Sequence, residues 1–308
     1  MKRFIIRLVI FIAILFAVDC MVGFSLSYLL NHCSGGIVGT RNYIVNKCND
    51  DILIFGSSRA NHHYNPQIIK DSLGFSCHNC GEDGEGILYY YGLYSIINER
   101  YCPKIIVYDV MPIYDYLCEE KNNRIYSGLL KPYYDHTIIR EMFEEVDKKE
   151  AIKMHCQMYR YNSYFHQIIA DNIHPIYNRR KDGFAPLEGE FNTMKINSRN
   201  GMIPDNLSID SIKINYLNKF IDELGGVKIV FTFSPVWYGV NPDGLKPLQI
   251  ILEQRNISLI DFSNDTKYVH NNEYFIDGSH LNERGADEFT RDLIKEIKRR
   301  EILSDLGS

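Results

Sequence analysis

The stretch Asp51-Ile52-Leu53-Ile54-Phe55-Gly56-Ser57-Ser58-Arg59 decides the fold. Residues 52–55 are an apolar run too short for a helix, bounded by a charge and a glycine, which is the pattern of a strand buried on both faces. Glycine at 56 permits a sharp turn that a side chain would resist. The strand therefore ends with Ser57 and Ser58 at its tip. Working outward, four further runs read as strands, at 75–78, 104–109, 228–233 and 258–262. Helical patterns separate most of them. Asn65-Pro66 starts one, with asparagine as the cap and proline at the first helical position. It continues through Ile68, Ile69 and Leu73 to Gly74, a residue suited to closing a helix. Others fall at 89–98, 209–224, within 242–254 and at 283–299. Strand–helix alternation predicts a doubly wound α/β sandwich with right-handed crossovers. In such sheets a site lies outside the carboxyl ends of the strands, where Ser57 and Ser58 fall.

Residues 112–206 interrupt the alternation. They hold a helical stretch over 136–169 and a turn-rich stretch over 178–204 that includes Lys181-Asp182-Gly183 and Asn200-Gly201. An interruption of this length is usually functional or carries structure of its own, and it reads as an inserted cap beside the site. The N-terminus begins Met1-Lys2-Arg3 and runs into a mainly apolar stretch, 4–30, broken by Arg7 and Asp19. Two readings fit: an uncleaved anchor with the basic end inside, or a signal peptide cleaved near Ser25-Leu26-Ser27. The anchor reading gives a membrane helix at 1–30 and one α/β domain over 31–308. Both readings place the rest of the chain outside the cytoplasm, in the cell envelope.

The chain has 308 residues and a net charge of -5, which offers no basic stripe for nucleic acid. Eight cysteines suit an oxidising compartment. Seven of them lie beyond the apolar run, and their pairing is not deducible from sequence. Cys77-His78-Asn79-Cys80 has C-x-x-C spacing, but no second such pair completes a zinc site, so no metal and no cofactor is expected. The 22 tyrosines read as core residues in strands and helices.

A second string, Asp277-Gly278-Ser279-His280-Leu281-Asn282, carries chemistry of its own. An offset of three places a carboxylate and an imidazole on one side of a turn. A serine hydroxyl needs an imidazole to take its proton, and the imidazole needs a carboxylate to fix its tautomer. Ser58, His280 and Asp277 supply those three parts if the fold brings them together. Arg59, His62 and His63 follow the serine and are candidate substrate-binding residues.

These blocks resemble the SGNH (GDSL-like) hydrolase and acyltransferase family. Phe55-Gly56-Ser57-Ser58 is similar to its first block, Asn79-Cys80-Gly81-Glu82-Asp83-Gly84 to its second and Asp277 to Asn282 to its last, over roughly 230 residues less the insertion. The resemblance implies a flavodoxin-like three-layer α/β/α sandwich with a parallel sheet. It implies Ser58 as nucleophile, His280 as base, Asp277 as its orienting partner, and the N–H groups of Ser58 and Gly84 as oxyanion donors. Two departures stand out. Ser57 replaces the usual aspartate of the first block. Val107-Tyr108-Asp109-Val110-Met111-Pro112 lacks the third-block asparagine, a side-chain oxyanion donor. Envelope members with that loss resemble the partners of membrane-bound O-acyltransferases. The expected activity is therefore an envelope serine esterase or O-acyltransferase acting on an ester-linked acyl group, acetyl foremost, of a surface glycan. The competing expectation is a non-catalytic accessory protein that binds glycan or a membrane acyltransferase.

Overall fold

The computed structural model describes residues 1–118, 128–175, 182–192 and 208–304. In chain order the helices and strands are α1 (Lys2–His32), α2 (Gly36–Asn46), β1 (Ile52–Gly56), α3 (Ser58–His63), α4 (Pro66–Leu73), β2 (Cys77–Asn79), α5 (Ile87–Asn98), β3 (Ile105–Asp109), α6 (Pro112–Asp115), α7 (Thr137–Val146), α8 (Lys148–Lys153), α9 (Phe165–Ile173), α10 (Ser211–Glu223), β4 (Lys228–Phe233), α11 (Lys246–Glu253), β5 (Leu259–Asp261) and α12 (Glu283–Arg299).

The five strands form one parallel sheet in the order β2-β1-β3-β4-β5. This is the flavodoxin-like doubly wound order. β1 and β3 are buried along their whole length, as a parallel sheet covered on both faces requires. Asn65 caps α4 by accepting the Gln67 N–H, and Gly74 closes it in the left-handed conformation with φ 77°. The tyrosines expected in the core are there: Tyr89, Tyr90, Tyr91 and Tyr94 on α5 are all buried. Tyr90 donates to the Gly56 carbonyl and accepts the Glu82 N–H, pinning the end of β1 to the turn after β2.

The chain resolves into two units, 1–47 with 124–177, and 48–123 with 178–308. The boundary falls after residue 47, where 30/31 was expected. The expected insertion, 112–206, is divided: its middle part, 124–177, joins the N-terminal helices, and its two ends belong to the sheet-bearing unit. Lys181 and Asn200-Gly201 of the turn-rich stretch lie outside the described residues.

In the first unit α1 is long and apolar enough to cross a membrane. Its residues 4–18 are exposed; from Asp19 onward the helix packs within its own unit. Asp19 accepts the N–H groups of Gln157 and Met158 and the Cys156 thiol. A side chain at Gly23 would meet Gln157 Cβ at 2.4 Å, so helix and loop approach as only glycine allows. Leu30, Cys33, Val38, Tyr161, Tyr164 and Ile168 form one buried cluster of this unit. All eight cysteines are free thiols.

Candidate active site

Ser58 opens α3 at the carboxyl end of β1. Gly56 has φ 135°, and a Cβ there would meet the Asp109 carbonyl at 2.5 Å. The turn from β1 to Ser58 therefore requires glycine. Ser58 Oγ lies 2.8 Å from His280 Nε2, and His280 Nδ1 lies 3.0 and 3.1 Å from the two Asp277 oxygens. With Nδ1–H donating to the carboxylate, Nε2 is left to accept the serine proton. Asp277 Oδ1 also accepts the N–H groups of Ser279 and His280. Burial pushes the Asp277 carboxyl up, but the bond to His280 and these N–H groups outweigh it and hold it below its ordinary value. The turn therefore keeps a charged carboxylate against the imidazole.

The loop that carries His280 is fixed from several sides. Trp237 N–H donates to the Gly278 carbonyl, Asn192 N–H to the Ile276 carbonyl, and Ile276 N–H to the His280 carbonyl. The Tyr238 ring lies where a side chain at Gly278 would stand. None of Trp237, Tyr238 or Asn192 was legible as a site residue, because each lies 40 or more positions from the loop residue it meets.

The turn after β2 carries Gly84, with φ 74°. It presses on α3 so closely that a side chain at Gly81 would meet the Asn61 nitrogen at 2.3 Å. Asn61 Nδ2 donates to Asp83 Oδ1 at 2.8 Å. α3 and the turn that carries Gly84 thus meet.

Two expected substrate-binding residues are corrected. Arg59 is 2% exposed. Its guanidinium lies over Phe233, donates to the carbonyls of Val110 and Ser234, and pairs with Asp109 at 3.5 Å. His63 is fully buried. Its Nδ1–H donates to Ser234 Oγ at 3.0 Å and its Nε2 accepts the Leu281 N–H at 3.0 Å. Both turn inward because α3 is a short helix laid on the core, with one face against β1, β3 and α12. His62, on the other face, has its ring 5.7 Å from that of His280.

Asp109 ends β3, in the stretch that lacks the asparagine sought there from the sequence resemblance. It does not face the site as an unpaired charge. Its oxygens accept from Tyr64 Oη at 2.7 Å, Ser234 N at 2.8 Å and Ser234 Oγ at 3.1 Å. Burial raises its carboxyl above the ordinary value, opposed by Arg59 and these bonds.

His63 gives the site an acid sensitivity. Burial pushes its imidazole well below the ordinary 6.5. The unfolded chain accepts a proton near that pH and the folded chain resists it. This stability is therefore fully present above about pH 6.5 and is lost as the pH falls, by up to about 1.4 kcal/mol per unit. Asp115, pushed up by burial to about 7, titrates in the same window with the opposite sign. Urea melts between about pH 5 and 7.5 are therefore expected to show the wild type losing stability toward acid more steeply than His63→Gln, and identical slopes in the two rule His63 out.

Cys48, Asp50 and His78 bring three metal-capable atoms within 4.8 Å of one another. Sequence spacing did not show this, since β2 has to fold against β1 to bring His78 there. The Cys48 thiol donates to Asp50 at 3.2 Å. Burial pushes the thiol up to about 11, so without a metal ion it stays protonated and bonded to Asp50.

No known family profile matches this chain, and no curated protein does. Among solved structures, an acetyl xylan esterase (Est2A) from the rumen bacterium Butyrivibrio proteoclasticus is similar to this chain with a TM-score of 0.37 at 8% identity. The match covers 81% of this chain and 63% of that one. The chain thus spans under two thirds of that esterase's length, and a likeness of this size says nothing about substrate.

Proposed function

We propose that the sheet-bearing unit is an SGNH-type serine esterase or O-acyltransferase that acts on an ester-linked acyl group, acetyl foremost, of an envelope glycan. The observation that carries this is the continuous chain Asp277–His280–Ser58 at the carboxyl end of β1. Ser58 Oγ attacks the ester carbonyl as its proton passes to His280 Nε2, and Asp277 stabilises the imidazolium. The negative charge on the former carbonyl oxygen faces the N–H groups of Ser58 and Gly84. Collapse breaks the bond to the sugar oxygen, which leaves with the proton from His280. Water then attacks the acyl-serine and the acid is released, or a second sugar hydroxyl attacks and the acyl group is transferred. In both, His280 again takes the nucleophile's proton and returns it to Ser58.

The oxyanion site lacks the third-block asparagine. Removing one such donor costs about 2.7–4 kcal/mol of transition-state stabilisation, so a slow enzyme is expected. The same loss favours the competing reading, a glycan- or acyltransferase-binding accessory without turnover. Full-length protein in detergent decides between them. p-Nitrophenyl acetate hydrolysis, with Ser58 labelled by a fluorophosphonate, supports catalysis. Neither hydrolysis nor labelling, with glycan bound, leaves the accessory reading.

The same proposal takes α1 as a retained anchor, with Lys2 and Arg3 inside and the site outside the cytoplasm. Cleavage near Ser25-Leu26-Ser27 would remove Asp19 and Gly23, which hold the 156–158 loop. Mass spectrometry of the native membrane protein is expected to find the peptide bearing Asp19. A mature N-terminus beyond residue 25 would sink the anchor.

A further inference from the structure

The amino ends of β1 and β2 lie at the opposite end of the sheet from Ser58. A thiol, an imidazole and a carboxylate gather there: Cys48 and Asp50 precede β1, and His78 lies in β2. The register that pairs Ile52 with Cys77 and Leu53 with His78 brings them together. Side chains alternate along a strand, so Cys77 and His78 take opposite faces. Cys77 joins Ile52 in the core, and His78 turns to the other face. The C-x-x-C string thus contributes the histidine between its cysteines. The backbone that carries these groups is latched. Ser76 donates to Asp51 Oδ2 through its N–H at 3.1 Å and its Oγ at 3.0 Å, and the Ile52 N–H donates to the Ser76 carbonyl at 2.9 Å. A Cβ at Gly183 would stand 3.0 Å from His78 Nε2, so the 182–192 segment closes over that side of the ring. His78 Nδ1 faces Asp50 Oδ2 at 4.0 Å, and Cys48 Sγ lies 3.2 Å from the same oxygen. The first separation is too long for a hydrogen bond and close to that of two ligands on one ion. Cys48 and His78 are buried, while the Asp50 side chain is 19% exposed.

We propose that Cys48, Asp50 and His78 bind a divalent ion of borderline softness, zinc foremost, which ties the entry to β1 onto the edge strand β2. One thiolate, one imidazole and one carboxylate make a donor set of zinc chemistry, and the sulfur argues against magnesium or calcium. Zinc bonds of about 2.0–2.3 Å place tetrahedral ligands roughly 3.3–3.6 Å apart. The three atoms already lie within 4.8 Å of one another, so each moves by about 1 Å or less to close on the ion. The exposed side at Asp50 leaves a fourth position to water. Binding breaks the Cys48 S–H bond: the electron pair stays on sulfur and forms the bond to the metal, and the proton passes to solvent. Tyr101 Oη, 3.6 Å from Cys48 Sγ, then donates to the thiolate as an outer partner. β2 gains most from such a tie, since it is an edge strand whose ladder with β1 covers only Cys77–Asn79. The site stands independently of the acyl-serine reading.

The test uses the full-length protein in detergent, stripped with chelator, with Cys102, Cys118 and Cys156 replaced by serine so that the exposed thiols take no part. Titration with cobalt(II) is expected to raise a thiolate-to-cobalt charge-transfer band that saturates at about one ion per chain and is bleached by zinc. Cys48→Ser is expected to lose the band. Asp50→Asn and His78→Gln are expected to weaken cobalt binding by more than about 100-fold, and Tyr101→Phe by about 10- to 100-fold, as an outer partner does. Zinc at about a hundredfold excess over its Kd is expected to raise Tm by about 5–10 °C, and to leave the Cys48→Ser variant where it was. A band that survives Cys48→Ser puts the ion elsewhere and overturns the site. So does the absence of any band, or cobalt affinity unchanged in Asp50→Asn and His78→Gln. Should Cys48→Ser fail to fold by circular dichroism, Asp50→Asn, at the partly exposed ligand, decides by the same band.

Discussion

Ser58→Ala is expected to abolish fluorophosphonate labelling and to reduce hydrolysis by about 10⁶ in kcat, near the uncatalysed background of the site. His280→Ala and Asp277→Ala are expected to fall on the same floor or somewhat above it, and the triple variant no lower, because the three side chains act as one unit. The reason is visible in the geometry. Ser58 Oγ has its proton acceptor at 2.8 Å, and that acceptor has its tautomer fixed by two carboxylate contacts on the far nitrogen. Ser57, beside it, is 2% exposed and serves as the helix cap position, so it cannot take over. Activity that survives Ser58→Ala unchanged would end the acyl-serine mechanism. A wild type without activity, whose Ser58→Ala variant keeps the cellular phenotype, would favour the accessory reading.

The second large effect is on stability. Asp109→Ala is expected to destabilise the sheet-bearing unit by about 3–5 kcal/mol, the usual cost of removing one partner of a buried ion pair. At about 2–4 °C per kcal/mol this is a fall of roughly 6–20 °C in Tm. The alanine leaves the Arg59 guanidinium uncompensated and strips an acceptor from Tyr64 and from both donors of Ser234. The damage reaches the site, since Ser234 Oγ also receives His63, whose other nitrogen holds the Leu281 N–H next to the base. Arg59→Met with Asp109→Leu is expected to recover most of the loss, because a well-packed apolar pair often replaces a buried ion pair without penalty. Thermal melts followed by circular dichroism check both. A single variant melting within about 2 °C of wild type would show that the pair contributes little.

Much of the sheet was legible, for a local reason. Buried parallel strands read as short apolar runs, and Asn65-Pro66 and Gly74 punctuate a helix through their own backbone preferences. β2 was the least legible strand, read at 75–78 and found at Cys77–Asn79. Its ladder with β1 fixes that register, and no property of its own three residues does. The division of 112–206 between two units was not legible, since turn residues announce a break and do not say which neighbour each piece packs against.

The sequence by itself determined the chemistry available: a serine at a strand tip, an imidazole and carboxylate three apart, and no asparagine after β3. These follow from residue identity and short-range spacing. Only the tertiary structure decided what each group faces. Arg59, His62 and His63 are near neighbours on one short helix, yet two point into the core and one toward the triad. That assignment depends on how α3 lies against β1, β3, α12 and the turn after β2. It is settled by burial and by hydrogen bonds to residues up to 218 positions away.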